Sequence, residues 1–131
     1  MKALDTNVLV RYLVQDDAAQ GRKAANYIEA AASAGEQILI NNIVLCETVW
    51  VLDSAYGYAK SEIEEVLGKV LQVATFRFEV KDIVLRAFEE YKAGKIDFAD
   101  CLIGQQNAAI GCESTATFDA ALRKLSTFQV L

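Results

Sequence analysis

The residues of this chain that invite a chemical reading are acids: Asp5, Glu47, Asp97, Asp100 and Asp119. Asp5 ends the apolar run MKAL, and Asp119 sits in TFDAAL ahead of a short helical pattern. Either aspartate would serve as an ordinary helix cap. Thr6 and Asn7 can cap as well, so the Asp5 position does not require an acid. Glu47 lies in VLCETVWVL, apolar on nearly every side, which predicts a helix buried around most of its circumference. An unpaired carboxylate there would cost several kcal/mol or turn neutral, so a partner is expected, and a cation is the simplest. No Lys or Arg lies within one helical turn to serve it. Asp97 and Asp100, three apart in IDFADCLIG, share one face at a predicted helix N-terminus. Asp97 reads as the cap. Asp100, one turn in beside Phe98, Cys101 and Leu102, helps a helix little and reads as functional.

Carboxylates without histidine narrow the chemistry. The chain has no His at all, which removes Ser-His-Asp and Cys-His triads, zinc sites built on His, and histidine general bases. Several carboxylates suit hard divalent cations such as Mg²⁺ or Mn²⁺, which take oxygen ligands together with water and substrate phosphate. A metal pair of that kind activates water and stabilises the leaving oxygen of a phosphodiester displacement. Cations of this sort would also answer the net charge of −5, which argues against holding nucleic acid by broad electrostatic attraction. Arg11, Lys95 and Arg123 are candidates for added attraction at the rim, Arg11 as a substrate contact, although each also reads as solvated surface.

The elements that must position these acids follow from periodicity. Met1 to Leu4 is a predicted strand ended by a polar turn, and Val8 to Val14 a short helix. Asp16-Asp17 opens a second helix from Ala18 to Ala34, closed by Gly35. Gln37 to Ile40 reads as a strand. Asn41 or Asn42 caps the helix that carries Glu47 and stops near Gly57. Ser61 with Glu64 and Glu65 resembles a capping box for a helix running to Val73. Thr75 to Val80 alternates as a strand, Lys81 to Ala93 is an amphipathic helix, and Asp97 opens a helix ended by Gly111. Ser114 to Thr117 is a strand, Asp119 caps a brief helix, and Phe128 to Leu131 is a last strand. Strands alternating with helices predict an α/β architecture with helices on both faces of a parallel sheet. Ligands of such sheets bind at the carboxyl ends of the strands, which predicts Asp5 and Asp119 on one rim.

Length, 131 residues, suits one domain, and 53% apolar residues suffice for its core. No segment approaches the roughly 20 apolar residues of a membrane span. The start MKALDTNVLVRYL has an acid five residues in and no small-residue cleavage site, unlike a signal peptide. Cys46, Cys101 and Cys112 are odd in number and lack C-x-x-C spacing, which favours a reducing cytoplasm over a disulfide framework.

Taken together, LDTNVLVRYL, VLCETVWVL, DFADCLI and TFDAAL resemble the four acidic motifs of PIN-domain ribonucleases, and are most similar to VapC-type toxins of toxin–antitoxin pairs. The resemblance runs over residues 1–131 in order and spacing. It implies a three-layer α/β/α PIN-like fold with a central parallel sheet of about four to five strands. It implies metal-binding, catalytic acids at Asp5, Glu47, Asp100 and Asp119. Asp97, Thr6, Asn7 and Thr117 would support them, Asn7 by orienting Asp5 or a bound water. It further implies Mg²⁺ or Mn²⁺ dependence, an RNA substrate, a cognate antitoxin protein and a homodimer.

Rival readings have specific requirements. A phosphatase of the haloacid-dehalogenase type wants D-x-D after the first strand, where this chain has Asn7 in the third position. A receiver domain wants paired acids at the first strand and an aspartate at a later strand end, whereas the second strand runs into Asn41-Asn42. A nuclease acting on DNA or in housekeeping RNA processing, and a PIN-like module that only binds, would share these acids.

Overall fold

The computed structural model describes all of residues 1–131 and is an α/β chain of six α-helices and five short strands, all parallel. It divides into two compact units, Met1–Glu79 and Val80–Leu131.

In the first unit, β1 (Lys2–Ala3), β2 (Ile38–Ile40) and β3 (Phe76–Phe78) pair in the order β1-β2-β3. The register sets Ala3 against Leu39, and Ile40 against Phe78. β2 is central, so Ile38 and Ile40 are wholly buried, while β3 alternates buried Phe76 and Phe78 with exposed Arg77. Between β1 and β2 run α1 (Thr6–Val14) and α2 (Ala18–Ser33); between β2 and β3 run α3 (Asn42–Ser54) and α4 (Lys60–Gln72). Parallel strands need such helical crossovers.

Each of these helices starts for a local reason. The Asp5 carboxylate accepts the Val8 N–H at 3.0 Å, Asp17 the Gln20 N–H at 2.9 Å, and Asn41 the Val44 N–H at 2.9 Å. α4 begins two residues earlier than expected. Its N-cap is Ala59, whose N–H donates to Glu62 at 2.9 Å, so the box at Ser61 with Glu64 and Glu65 does not form. Ala59 has no side-chain acceptor, so only the Glu62 half of the box exists. α1 and α2 pack closely because Gly21 is buried between them; a Cβ there would stand 2.7 Å from Gln15 Oε1.

In the second unit, α5 (Lys81–Ala93) buries Ile83, Val84, Ala87, Phe88 and Tyr91, one stripe at helical spacing. It packs on α6 (Phe98–Ile110), where Tyr91 and Phe98 meet edge to face, their centroids 5.9 Å apart. α6 ends at Gly111, whose φ of 113° few other residues tolerate. A parallel pair, β4 (Thr115–Thr117) and β5 (Phe128–Val130), follows, joined through a 3₁₀ turn at Ala120–Lys124. A Cβ on the buried Gly104 would collide with the Thr127 hydroxyl and stand 2.7 Å from the Phe128 ring, so glycine lets α6 approach the start of β5.

The five strands thus match the number expected, but their hydrogen bonds form a three-stranded and a two-stranded sheet instead of one continuous sheet. Strand number follows from local pattern; which edges join depends on tertiary packing that the pattern does not encode. The three cysteines form no disulfide. No helix is long and apolar enough to cross a membrane.

Candidate active site

In the first unit, Asp5 lies beyond the end of β1 and Glu47 on the second turn of the helix that follows β2. β1 and β2 are neighbours and parallel, so both acids belong to the carboxyl-terminal side of one sheet. One oxygen of Asp5 is taken by the Val8 amide, which fixes the orientation of the other. Thr6, the first residue of α1, donates its hydroxyl to Glu47 Oε1 at 2.8 Å. Consecutive residues therefore supply one carboxylate and tether the second. Asn7 is exposed beside them and lines the same groove as Asp5.

The expected burial of Glu47 is not found. Glu47 is exposed, and so are its helix-face neighbours Ile43 at 70% and Trp50 at 68%. The apolar run around Glu47 is divided between a buried face of Val44, Leu45, Thr48 and Leu52 and an outward face that includes large apolar side chains. The carboxylate meets solvent and a hydroxyl, with no cation required to bury it.

The second unit holds the remaining acids. Asp97 occupies the N-cap position of α6, but its side chain makes no capping hydrogen bond, so its carboxylate is not consumed as expected. Asp100 is half-buried in the first turn. Burial raises its pKa above the ordinary carboxylate value, and the negative charges of Asp97 and Asp119 raise it further. Asp100 thus lies within reach of the charge of each of the other two. Asp119 follows β4; its amide donates to the Thr117 hydroxyl at 3.0 Å, and its carboxylate accepts the Ala121 amide at 2.9 Å. Thr117 and Ala121 together fix Asp119 much as Val8 fixes Asp5.

Arg11 lines the same groove as Asp5 and is held there by neighbours within the chain. Its guanidinium donates to Asp16 at 3.0 Å, to the Tyr56 hydroxyl at 3.0 Å and to Gln20 at 2.7 Å, and Tyr56 in turn donates to Asp16 at 2.9 Å. This cluster ties α1 to the turn before α2 and to the turn after α3.

Sequence reasoning passed over a groove of about 410 Å³ beside Asp5, lined also by Asn7, Val8, Lys23, Ala24 and Tyr27. Lys23 and Tyr27 come from α2, and only their spacing of four on an otherwise alanine-rich helix could have marked them.

No three acids or thiols gather into a ready-made cation cage. The donor chemistry nonetheless fits a hard divalent cation. The groups are carboxylates held by amides and hydroxyls, and the mutual repulsion around Asp100 is what a cation would relieve.

The chain is similar to known proteins over most of its length. A VapC ribonuclease of Aquifex aeolicus (strain VF5) is 26% identical over 125 residues, covering 95% of this chain and 92% of the relative. The PIN domain family matches residues 2–127, a span that includes all five acids and both structural units. The chain belongs to the PIN domain family.

Proposed function

We propose that this chain is a divalent-metal-dependent endoribonuclease, the toxin of a toxin–antitoxin pair, and that residues 1–131 act as a single PIN domain. The observation that carries the nuclease reading is the set of acids placed at strand ends and helix starts and held there by amides and hydroxyls, with Asp100 half-buried; burial first, and the charges of Asp97 and Asp119 after it, raise its pKa, a cost that a cation would relieve. The ribonuclease and toxin readings are supported by the similarity to a VapC ribonuclease.

In this reading Asp5, Glu47, Asp100 and Asp119 are the catalytic carboxylates and the ligands of Mg²⁺ or Mn²⁺. When bound, such a cation activates water and neutralises charge on a phosphodiester. The chain's own contribution is orientation. The Val8 and Ala121 amides each hold one oxygen of Asp5 and Asp119, so the other oxygen is presented without rotamer search. Thr6 does the same for Glu47. Thr117 fixes the Asp119 backbone, and Asp97 keeps Asp100 responsive to positive charge. Asn7, exposed beside Asp5, orients Asp5 or a bound water. An antitoxin protein and a second copy of the chain are the proposed partners. That the chain's three cysteines form no disulfide supports a reducing compartment, the cytoplasm.

The test is cleavage of mixed tRNA, a single-stranded RNA and a single-stranded DNA in Mn²⁺, Mg²⁺ or EDTA, with Asp5→Asn purified identically. Metal-dependent cutting of RNA by wild type alone is expected. Cutting of DNA instead would move the activity to that polymer, and binding without cutting would leave a binding module.

A further inference from the structure

The register that pairs Ile40 with Phe78 brings the ends of β2 and β3 level, so Asn41, Asn42 and Glu79 leave the sheet side by side. There the Glu79 carboxylate accepts the Asn42 N–H at 2.6 Å, a bond that spans 37 residues of sequence. Asn42 is the first residue of α3, the helix that carries Glu47. Glu79 is thus a further acid on the carboxyl-terminal side of this sheet, and none of the four acidic motifs contains it.

The helix does not need Glu79 in order to start. Asn41 already caps it, its side chain accepting the Val44 N–H at 2.9 Å. A cap of that kind is local: it sets where helical turns begin, not where the helix stands against the sheet. Glu79 comes from another strand and fixes the second quantity. Its charge suits a helix N-terminus, where orphan amides and the helix dipole both favour an anion. On the opposite flank of β2, Thr6 follows β1 and holds the Glu47 carboxylate itself at 2.8 Å. α3 is therefore tied at its first turn to the end of β3, and at its second turn to the segment after β1. Glu47 lies five residues beyond Asn42, which is about 7.5 Å along a helix axis. The backbone between them is one hydrogen-bonded rod, so a shift or rotation of its start is carried to Glu47.

We propose that Glu79 is a positioning residue for the metal site: by holding the Asn42 amide it fixes α3, and so sets the place from which Glu47 reaches a cation. The inference rests on the reading of Glu47 as a ligand of Mg²⁺ or Mn²⁺.

The experiment titrates the full chain with Mn²⁺ alone and follows the electron paramagnetic resonance signal of the free ion, which is lost on binding. Glu79→Ala should weaken Mn²⁺ binding roughly tenfold, the lower end of what loss of a supporting group costs. Glu79→Gln keeps an acceptor oxygen and should recover most of that loss. Asn42→Pro deletes the donor at a position where a helix accepts proline, and should match Glu79→Ala. Asn42→Ala keeps the N–H and should bind Mn²⁺ more tightly than Asn42→Pro. In a Glu47→Gln background, Glu79→Ala should change Mn²⁺ affinity no further, a result that a merely structural role would not produce. The Tm of Glu79→Ala should fall by no more than about 5 °C, since the bond is exposed. Wild-type affinity in folded Glu79→Ala would overturn the proposal, and so would a loss repeated in full in the Glu47→Gln background. If Glu79→Ala does not fold, the two Asn42 variants decide on the same terms. Normal binding by Glu79→Ala beside weak binding by Glu47→Gln sinks this inference alone. Wild-type binding by Glu47→Gln sinks the assignment of Glu47 to the metal, and this inference with it.

Discussion

The hydroxyl of Thr6 donates to Glu47 Oε1 at 2.8 Å across 41 residues of sequence, which joins the first residue of α1 to the second turn of α3. A ligand held this way is pre-oriented, and removal of such a supporting group typically costs 10–100-fold in metal affinity or activity. Thr6→Ala should therefore raise the Mn²⁺ concentration needed for half-maximal cleavage by roughly that factor. Thr6→Ser should restore it. The Tm should move little, because the bond is exposed; a large fall in Tm would assign the bond to stability instead.

The raised pKa of Asp100 has a signed consequence. A carboxyl with a higher pKa in the native state binds more protons folded than unfolded, so its contribution to stability falls as pH rises through that native value. Asp100→Asn should then raise the metal-free Tm at pH 7. The gain should shrink as pH is lowered toward the ordinary carboxylate range, near about 4, as Asp100 takes up its proton. Asp97→Asn should move the same way by less, since burial is the larger cause of the shift. Thermal melts of the three proteins between pH 4 and 7 check this, and a destabilised Asp100→Asn would make Asp100 a structural residue.

Arg11 and Asp16 make the opposite case. The Tyr56 hydroxyl and the Arg11 guanidinium hold the Asp16 carboxyl below its usual range. That contribution is present above the unfolded carboxylate pKa and is lost as pH falls through the native one. Arg11→Gln should lower Tm at pH 7, and the difference from wild type should shrink as pH falls through the lowered native value of Asp16. Its KM for RNA should stay within about twofold, because the guanidinium is already engaged; a KM effect with a reduced salt slope would make Arg11 a phosphate contact.

Gly104 sets the approach of α6 to Thr127 and Phe128. Gly104→Ala should cost about 1–3 kcal/mol by overpacking, read as a lower urea midpoint with an unchanged slope.

The thiols should differ in reactivity. Burial pushes the Cys46 thiol above its usual pKa, Cys101 is wholly buried, and Cys112 is exposed. Because the thiolate is the reactive form, an aromatic disulfide reagent in native protein should titrate Cys112 first. Cys112→Ser should abolish the fast phase.

The placement of most of the acids was legible because caps and strand ends leave local marks. Asp5 and Asp119 follow short strands and precede helical patterns, as read, and both prove to be caps with a carboxylate oxygen to spare. Glu47 was placed on the right helix but given the wrong surroundings. Eight apolar neighbours look like burial in one dimension, whereas a helix with Ile43 and Trp50 turned outward needs a tertiary context to reveal it. The start of α4 slipped for a similar reason, since Glu62 caps a backbone amide at Ala59 and so needs no Ser. The cluster of Arg11, Asp16 and Tyr56 joins residues up to 45 apart and left no local trace. Nor did the division of five strands into three and two.

The double duty of Asp5 and Asp119, each opening a helical turn with one oxygen and keeping the other for chemistry, also has a genetic side. Asparagine caps a helix about as well as aspartate does, and the two are separated by a single base in the codon. If these aspartates act as proposed, a folded but inactive copy of this protein lies one point mutation away. On that reading, a population carrying the gene has a ready route to silence it without losing the protein.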